Sequence, residues 1–94
     1  MTSQIDFRLP ENLTIATINH LHEQFESLVD TKGCDAVVLQ GDAVARADTA
    51  GIQLLAAFIQ ASRERKIAIT WDHPSAKLCS AAELLGLDKT IGIH

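Results

Sequence analysis

The stretch DAVVLQGDAVARADTAGIQLLAAFIQASRERKIAITW, Asp35 to Trp71, holds two apolar patterns of different period joined by polar turns. Its first six residues, Asp35 to Gln40, form a β-branched run without alternation. Such a run predicts a central strand covered on both faces or nearly so. From about Thr49 to Lys66 the spacing becomes helical. Ile52, Leu55, Phe58 and Ile59 carry most of a buried face, and Gln53, Gln60 and Glu64 mark a solvent stripe. The last turn, Arg63-Glu64-Arg65-Lys66, puts cations where the helix dipole is negative. Ile67 to Trp71 is a second strand. Strand, helix and strand make a βαβ unit, and such units wind right-handedly.

Outward from this unit the same logic extends to both termini. Gln4 to Leu9 alternates, with Ile5, Phe7 and Leu9 set against Gln4, Asp6 and Arg8, and predicts a half-buried strand. Pro10-Glu11-Asn12 is a turn, and Leu13 to Ile15 is expected to return as the hairpin partner. Thr17 is placed to cap a helix whose stripe is Ile18, Leu21, Phe25 and Leu28. Thr31-Lys32-Gly33 closes it, with Gly33 suited to a left-handed C′ position. On the other side, His73-Pro74-Ser75 opens a third helix, with Leu78, Ala81, Ala82 and Leu85 inward and Gly86 as its stop. Ile91 to Ile93 is expected to add a short terminal strand. The fold class is therefore α/β. A mixed sheet of four to five strands is expected, with helices packed mainly on one face.

The bulk properties agree with one compact domain over residues 1–94. Apolar residues are 47% and charged residues 21% of the chain, which excludes a disordered segment. The net charge of −4 gives no general attraction to nucleic acid or to anionic membrane, so proteins are the expected partners. The start, MTSQIDFRLP, lacks the basic and apolar regions of a secretory leader. The longest strongly apolar stretch, Ile52 to Ile59, is far short of the ~20 residues of a membrane span. A cytoplasmic location without membrane insertion follows as the expectation, with Cys34 and Cys79 reduced and buried.

Catalytic and cofactor chemistry finds little support. His20 and His22 are two apart on a helix and point in different directions, while His73 and His94 are isolated. No Cys-x-x-Cys or clustered Cys/His spacing suggests a metal. Gly-x-Ser-x-Gly, Gly-x-Gly-x-x-Gly and a Walker loop are all missing, so no enzyme and no cofactor are expected. Trp71, Phe7, Phe25 and Phe58 read as core rather than as a base-stacking platform.

The segment ARADTAGIQLL, residues 45–55, admits four readings: a plain helix cap, a catalytic elbow, an anion cradle or a site that receives a phosphate. Asp48 is a strong N-cap candidate, accepting N–H bonds from the first turn. Thr49 is then the first helical residue, its hydroxyl at the positive end of the dipole. Ala50 and Gly51 leave the backbone uncrowded. Phosphorylation would add about −1.5 to −2 charges beside Asp48 and Asp42. At an interface that charge is decisive, because juxtaposed like charges cost several kcal/mol. Arg46 is either a partner for a phosphate or carboxylate, or a solvated loop side chain.

The block DAVVLQGDAVARADTAGIQLLAAFIQASRERKIAITWDHPSAKLCSAAELLGL, residues 35–87, resembles a STAS domain, the fold of bacterial anti-sigma factor antagonists. Those domains show an apolar strand, a short loop, then Asp-Ser-Ser/Thr-Gly-Leu opening a helix, and later a helix ending in Leu-Leu-Gly-Leu. Asp48, Thr49, Ala50, Gly51 and Ile52 fall on the first signature, and Leu84 to Leu87 on the second. Ile5 to Leu28 matches more loosely. The resemblance implies a non-catalytic regulatory module that binds a protein partner through the Asp48–Ile52 helix start. Asp42, Arg46 and Gln53 would flank the contact. It also implies phosphorylation of Thr49 by an anti-sigma-type serine/threonine kinase, as an off-switch. Similar stand-alone domains serve chemotaxis-type signalling clusters, and others are cytoplasmic subunits of a phospholipid-transport ABC system docked on its ATPase. The Thr-Ala form leans toward these two groups. Gln40 stands where the family usually has an acidic residue, and Arg46-Ala47 where it has larger apolar ones, so the loop a kinase would read is altered.

Overall fold

The computed structural model describes residues 4–30, 33 and 35–93. Along the chain the elements are β1 (Gln4–Arg8), β2 (Asn12–Leu13), α1 (Ile18–Asp30), β3 (Ala36–Gln40), β4 (Arg46–Ala47), α2 (Thr49–Glu64), β5 (Ala68–Asp72) and α3 (Ala76–Leu84). Strands β1, β3 and β5 form a parallel sheet in that order, with Ile5 beside Val37 beside Ile69 and Phe7 beside Leu39 beside Trp71. Two right-handed connections running in one direction place their helices on the same face of a sheet. Helices α1 and α2 accordingly lie side by side, with Phe25 of α1 stacked on Phe58 of α2 at 4.1 Å and tilted against Phe7 of β1.

That one-sided cover makes β3 alternate. Val37 and Leu39 are buried beneath the helices, while Ala36, Val38 and Gln40 are only half-buried. The expectation of a strand covered on both faces fails because all the described helices that cross over this sheet lie on one side. The opposite face carries Gln4, Asp6, Arg8, Ala68, Thr70 and Asp72, small or polar residues fit for water, around the half-buried Val38.

The expected hairpin does not form. β2 leaves β1 at Pro10 and pairs in parallel with β4, Asn12 beside Arg46 and Leu13 beside Ala47. The carbonyl of Glu11 accepts from both Ala45 N and Arg46 N, at 2.8 and 3.1 Å, and Leu13 O accepts from Asp48 N at 3.1 Å. Pro10-Glu11-Asn12 offers no glycine for a tight reversal. Burying both Leu9 and Leu13 instead carries the chain across the core to the second half of the fold. Among the described residues every strand pairing is consequently parallel, and the five strands divide into a sheet of three and a sheet of two rather than one mixed sheet.

Smaller differences have local causes. Thr17 precedes α1 and its carbonyl accepts the first helical bond, from Leu21 N. Its hydroxyl, however, turns back to the carbonyl of Asn12 at 2.6 Å rather than capping the helix. α2 ends at Glu64 rather than at Lys66: Lys66 is left-handed, φ 61°, and Ile67 N bonds Ser62 O at 2.8 Å while Lys66 N bonds Arg63 O at 3.0 Å. This is the Schellman pattern. α3 ends in the same way with Gly86, φ 69°, where Leu87 N bonds Ala82 O at 2.9 Å. Ile91 and Ile93 are buried as expected of core residues but form turns, not a strand. Their N–H groups bond Leu87 O and Asp88 O, and Ile91 O receives the Trp71 indole N–H at 2.7 Å. Gly33 adopts the expected left-handed conformation, φ 80°, three residues beyond the end of α1 at Asp30. Thr31, Lys32, Cys34 and His94, about which expectations were stated, lie outside the described residues. Cys79 is half-buried, less covered than expected.

Candidate functional site

The site is built where β2, β4 and the start of α2 converge. Asp48 is extended, φ −111° and ψ 178°, which brings its carboxylate over the first turn of α2. Oδ1 accepts from Gly51 N at 2.9 Å, and Oδ2 accepts from Ile15 N at 2.9 Å, 33 residues away. One carboxylate therefore caps α2 and holds the β2–α1 loop. The Gly51 N–H, then that of Ile15, keep the Asp48 carboxyl below the ordinary aspartate value, against a smaller opposing effect of desolvation.

Gly51 makes the close approach of α2 and β2 possible. A Cβ on Gly51 would stand 2.0 Å from the carbonyl oxygen of Leu13 and 2.5 Å from its carbonyl carbon. Both are backbone atoms that are hydrogen-bonded or covalently fixed, so no larger residue fits without moving the helix. Gly51 and Ile52 are buried. Their contribution to the site is its shape, not its surface. Ala50 is half-buried, whereas Thr49 and Gln53 face solvent. The Thr49 hydroxyl makes no hydrogen bond among the described residues. It is presented on a frame that does not use it.

Around Thr49 the surface is apolar. A shallow groove of about 210 Å³ runs from Ala47, Asp48 and Thr49 to Ala81, Leu84 and Leu85 at the end of α3. Three large apolar side chains are exposed among the described residues: Ile15 at 70%, Leu84 at 87% and Leu85 at 38%. The two leucines line this groove, and Ile15 is the residue whose N–H is held by Asp48. Leu85, expected to point inward, ends on the surface because the helix finishes there and Leu87 N folds back to Ala82 O. Leu84 lies off the Leu78–Ala82 stripe, which was the sequence signal for its exposure. No signal pointed to Ile15, whose place depends on a bond across 33 residues.

The outlying residues are placed less tightly. Asp42 meets Arg8 at 3.8 Å with both side chains mostly exposed, a pair of little energetic weight. Arg46 is exposed on β4 and makes no ion pair among the described residues. Near them Ser75 caps α3, accepting from Leu78 N at 3.1 Å and donating to Val44 O at 2.7 Å. That bond ties α3, and with it Leu84, to the loop that leads into Arg46.

Among the described residues no group of three or more His, Cys, Asp or Glu is arranged to hold a metal, and no helix is long and apolar enough to cross a membrane. What the fold does present is a small α/β module with one helix-covered sheet face and a rigid helix start displaying a hydroxyl beside an apolar groove. A family model described as "Mlab, STAS domain" matches residues 3–93, and the chain belongs to that family. The crystal structure of a sulfate transporter family protein from Wolinella succinogenes has the same fold, with a TM-score of 0.74 at 14% identity, over 98% of this chain and 75% of that one. No curated protein matches the chain. STAS domains are generally non-catalytic regulatory modules that mediate protein–protein interaction.

Proposed function

We propose that this protein is a cytoplasmic regulatory module, a single non-catalytic domain that docks on a protein partner through the start of α2, with Thr49 at the centre of the contact. The observation that carries this reading is that Leu84 and Leu85, both exposed, line one groove with Thr49, while the exposed Ile15 belongs to the loop whose N–H Asp48 holds. Apolar side chains brought together at a surface by separate elements mark an interaction site. Phosphorylation of Thr49 releases the partner. It places about −1.5 to −2 charges at the centre of an apolar contact, beside the Asp48 carboxylate, and both the desolvation and the repulsion oppose docking.

A second reading is favoured by the family match to Mlab and by Gln40 and Arg46 in the loop before the site. In it the module is a constitutive subunit of a phospholipid-transport ABC system, docked on the ATPase through the same face, with no kinase involved. Co-purification with the neighbouring-gene kinase or ATPase tests both. Leu84→Asp and Thr49→Glu are expected to weaken the complex while leaving the fold intact. If neither has an effect, the docking face is elsewhere. Incubation with the kinase and ATP then separates the readings: a phosphopeptide containing Thr49 supports the switch, and its absence supports the constitutive subunit.

A further inference from the structure

The turn at residues 14–17 carries the exposed Ile15 and is tied to its own neighbourhood. Thr17 N donates to Thr14 O at 2.9 Å, and the Thr17 hydroxyl donates to Asn12 O. Among the described residues its hydrogen bond to the α2 side is the one from Ile15 N to Asp48 Oδ2, at 2.9 Å. The other oxygen of that carboxylate takes Gly51 N, also at 2.9 Å. Asp48 is thus a latch with two catches, one on its own helix and one on a turn 33 residues away. β2 does not depend on the second catch. Leu13 O accepts from Asp48 N at 3.1 Å, and the Leu13 carbonyl is packed against Gly51. Loss of the Ile15 bond therefore leaves β2 and α2 together and frees only the turn that follows Leu13.

Thr49 stands next to this latch, exposed on the surface. The Asp48 carboxyl, held below the ordinary aspartate value first by Gly51 N–H and then by Ile15 N–H, is charged at neutral pH. Transfer of the γ-phosphoryl group of ATP forms a bond from phosphorus to Thr49 Oγ1. It breaks the bond from phosphorus to the β–γ bridging oxygen and releases ADP and the hydroxyl proton. About −1.5 to −2 charges then sit one residue from the carboxylate, and like charges so close repel. Of the two catches, the one on Gly51 lies within the first turn of α2 and moves with it. The one on Ile15 holds an exposed turn with no other hydrogen bond to α2 among the described residues, so it is the one that yields. We propose that Asp48 is a positioning residue that passes the state of Thr49 to the turn at residues 14–17, so that phosphorylation releases Ile15 as well as charging the contact. This rests on the reading of Thr49 as the switch in a docking face. It gives partner release a second cause: an exposed apolar side chain loses its fixed place, and ordering it again on docking costs conformational entropy.

The free chain tests this without a kinase or a partner. Ligation at the Gly33-Cys34 junction joins residues 1–33 to a synthetic segment 34–94 with phosphothreonine at position 49, and the same route gives the unmodified chain. Amide hydrogen exchange is followed by NMR in both. Phosphorylation is expected to speed exchange of Ile15 N–H roughly tenfold, the loss of one hydrogen bond to a charged group. Core amides such as Val37 and Leu39 are expected to keep their rates. Asp48→Asn retains a capping oxygen for Gly51 N–H but lacks both the charge and the second acceptor. In that background Ile15 is expected to exchange fast already, with nothing further added by the phosphate. Asp48→Ser, which retains only the cap, is the second background, and circular dichroism checks that both variants fold. The proposal is overturned if phosphorylation leaves Ile15 unchanged, or slows it because the phosphate takes over its N–H. It is equally overturned if neither Asp48 variant speeds Ile15, or if the phosphate acts as strongly in those variants as in the parent. Acceleration spread over the core amides overturns it as well, since the frame itself has then loosened. Any of these results leaves the docking reading standing, because no partner is present. Failure of that reading shows separately, as a partner retained by both Leu84→Asp and Thr49→Glu.

Discussion

Helix α2 is held by different means at its two ends. At its start the contacts are long-range. Asp48 reaches forward to Gly51 and back to Ile15, Asp48 N bonds Leu13 O, and Gly51 presses on the Leu13 carbonyl with no room for a side chain. At its end the backbone closure is local, and the long-range contact is made by one exposed side chain, Arg65, which donates to Val29 O and Asp30 Oδ1. Ser62 and Arg63 carbonyls accept from Ile67 and Lys66, and Lys66 takes a left-handed conformation that glycine adopts more readily. α3 closes in the same pattern with glycine at the equivalent place, Gly86. The difference shows where rigidity has been concentrated. The start of α2 is fixed from three directions while its most exposed residue, Thr49, takes no part in the fixing. A side chain with no structural duty on a rigid frame is free to be modified or to meet a partner without disturbing the fold.

The comparison breaks most sharply at Gly51. In an ordinary helix glycine to alanine stabilises by roughly 1 kcal/mol. Here Gly51→Ala is expected to destabilise by about 3 kcal/mol or more, because the new methyl meets backbone, not a movable side chain. Urea denaturation measures it, and a neutral result would mean that α2 and β2 do not approach as described. At the other end the sign reverses. Lys66→Gly is expected to stabilise by about 1 kcal/mol through relief of the left-handed conformation, read as a rise in Tm.

The carboxylate of Asp48 sharpens the contrast through pH. Its folded pKa lies below the unfolded one, so its contribution is complete at neutral pH. The contribution begins to fall as pH drops through the ordinary aspartate range, about 4, and is gone below the folded pKa. Asp48→Asn keeps a capping oxygen for Gly51 N–H but cannot serve Ile15 N–H equally well. The variant is expected to be less stable than the parent at pH 7, with the difference shrinking on acidification below pH 4, as thermal melts across the acid range will record. The smallest effect belongs to Thr49. Thr49→Ala is expected to change stability by no more than about 0.5 kcal/mol, because an exposed and unbonded side chain is removed. A larger loss would mean that the hydroxyl is part of the frame.

Much of the fold is legible along the chain because periodicity reports burial directly. The stripes of α1 and α2 and the alternation of β1 each follow from one helix or strand facing one core. The capping role of Asp48 and the left-handed Gly33 and Gly86 are equally local, set by a few neighbouring dihedrals. β2 and β4 are not legible in this way. Each is two residues long and exists only through the other, so neither has a period to detect. The terminal Ile91 and Ile93 illustrate the limit from the other side: their burial is apparent from composition, yet turn bonds to Leu87 and Asp88, not strand pairing, bury them.

The candidate site divides along the same line. Sequence by itself determined the capped helix start, the hydroxyl at Thr49 and the small residues after it, because caps and helix propensity act within a few residues. Tertiary structure alone decided that Asp48 also holds Ile15, that Gly51 has no alternative, and that Leu84 and Leu85 border Thr49. Those relations join residues more than 30 positions apart, and only the packing of the whole core sets such distances.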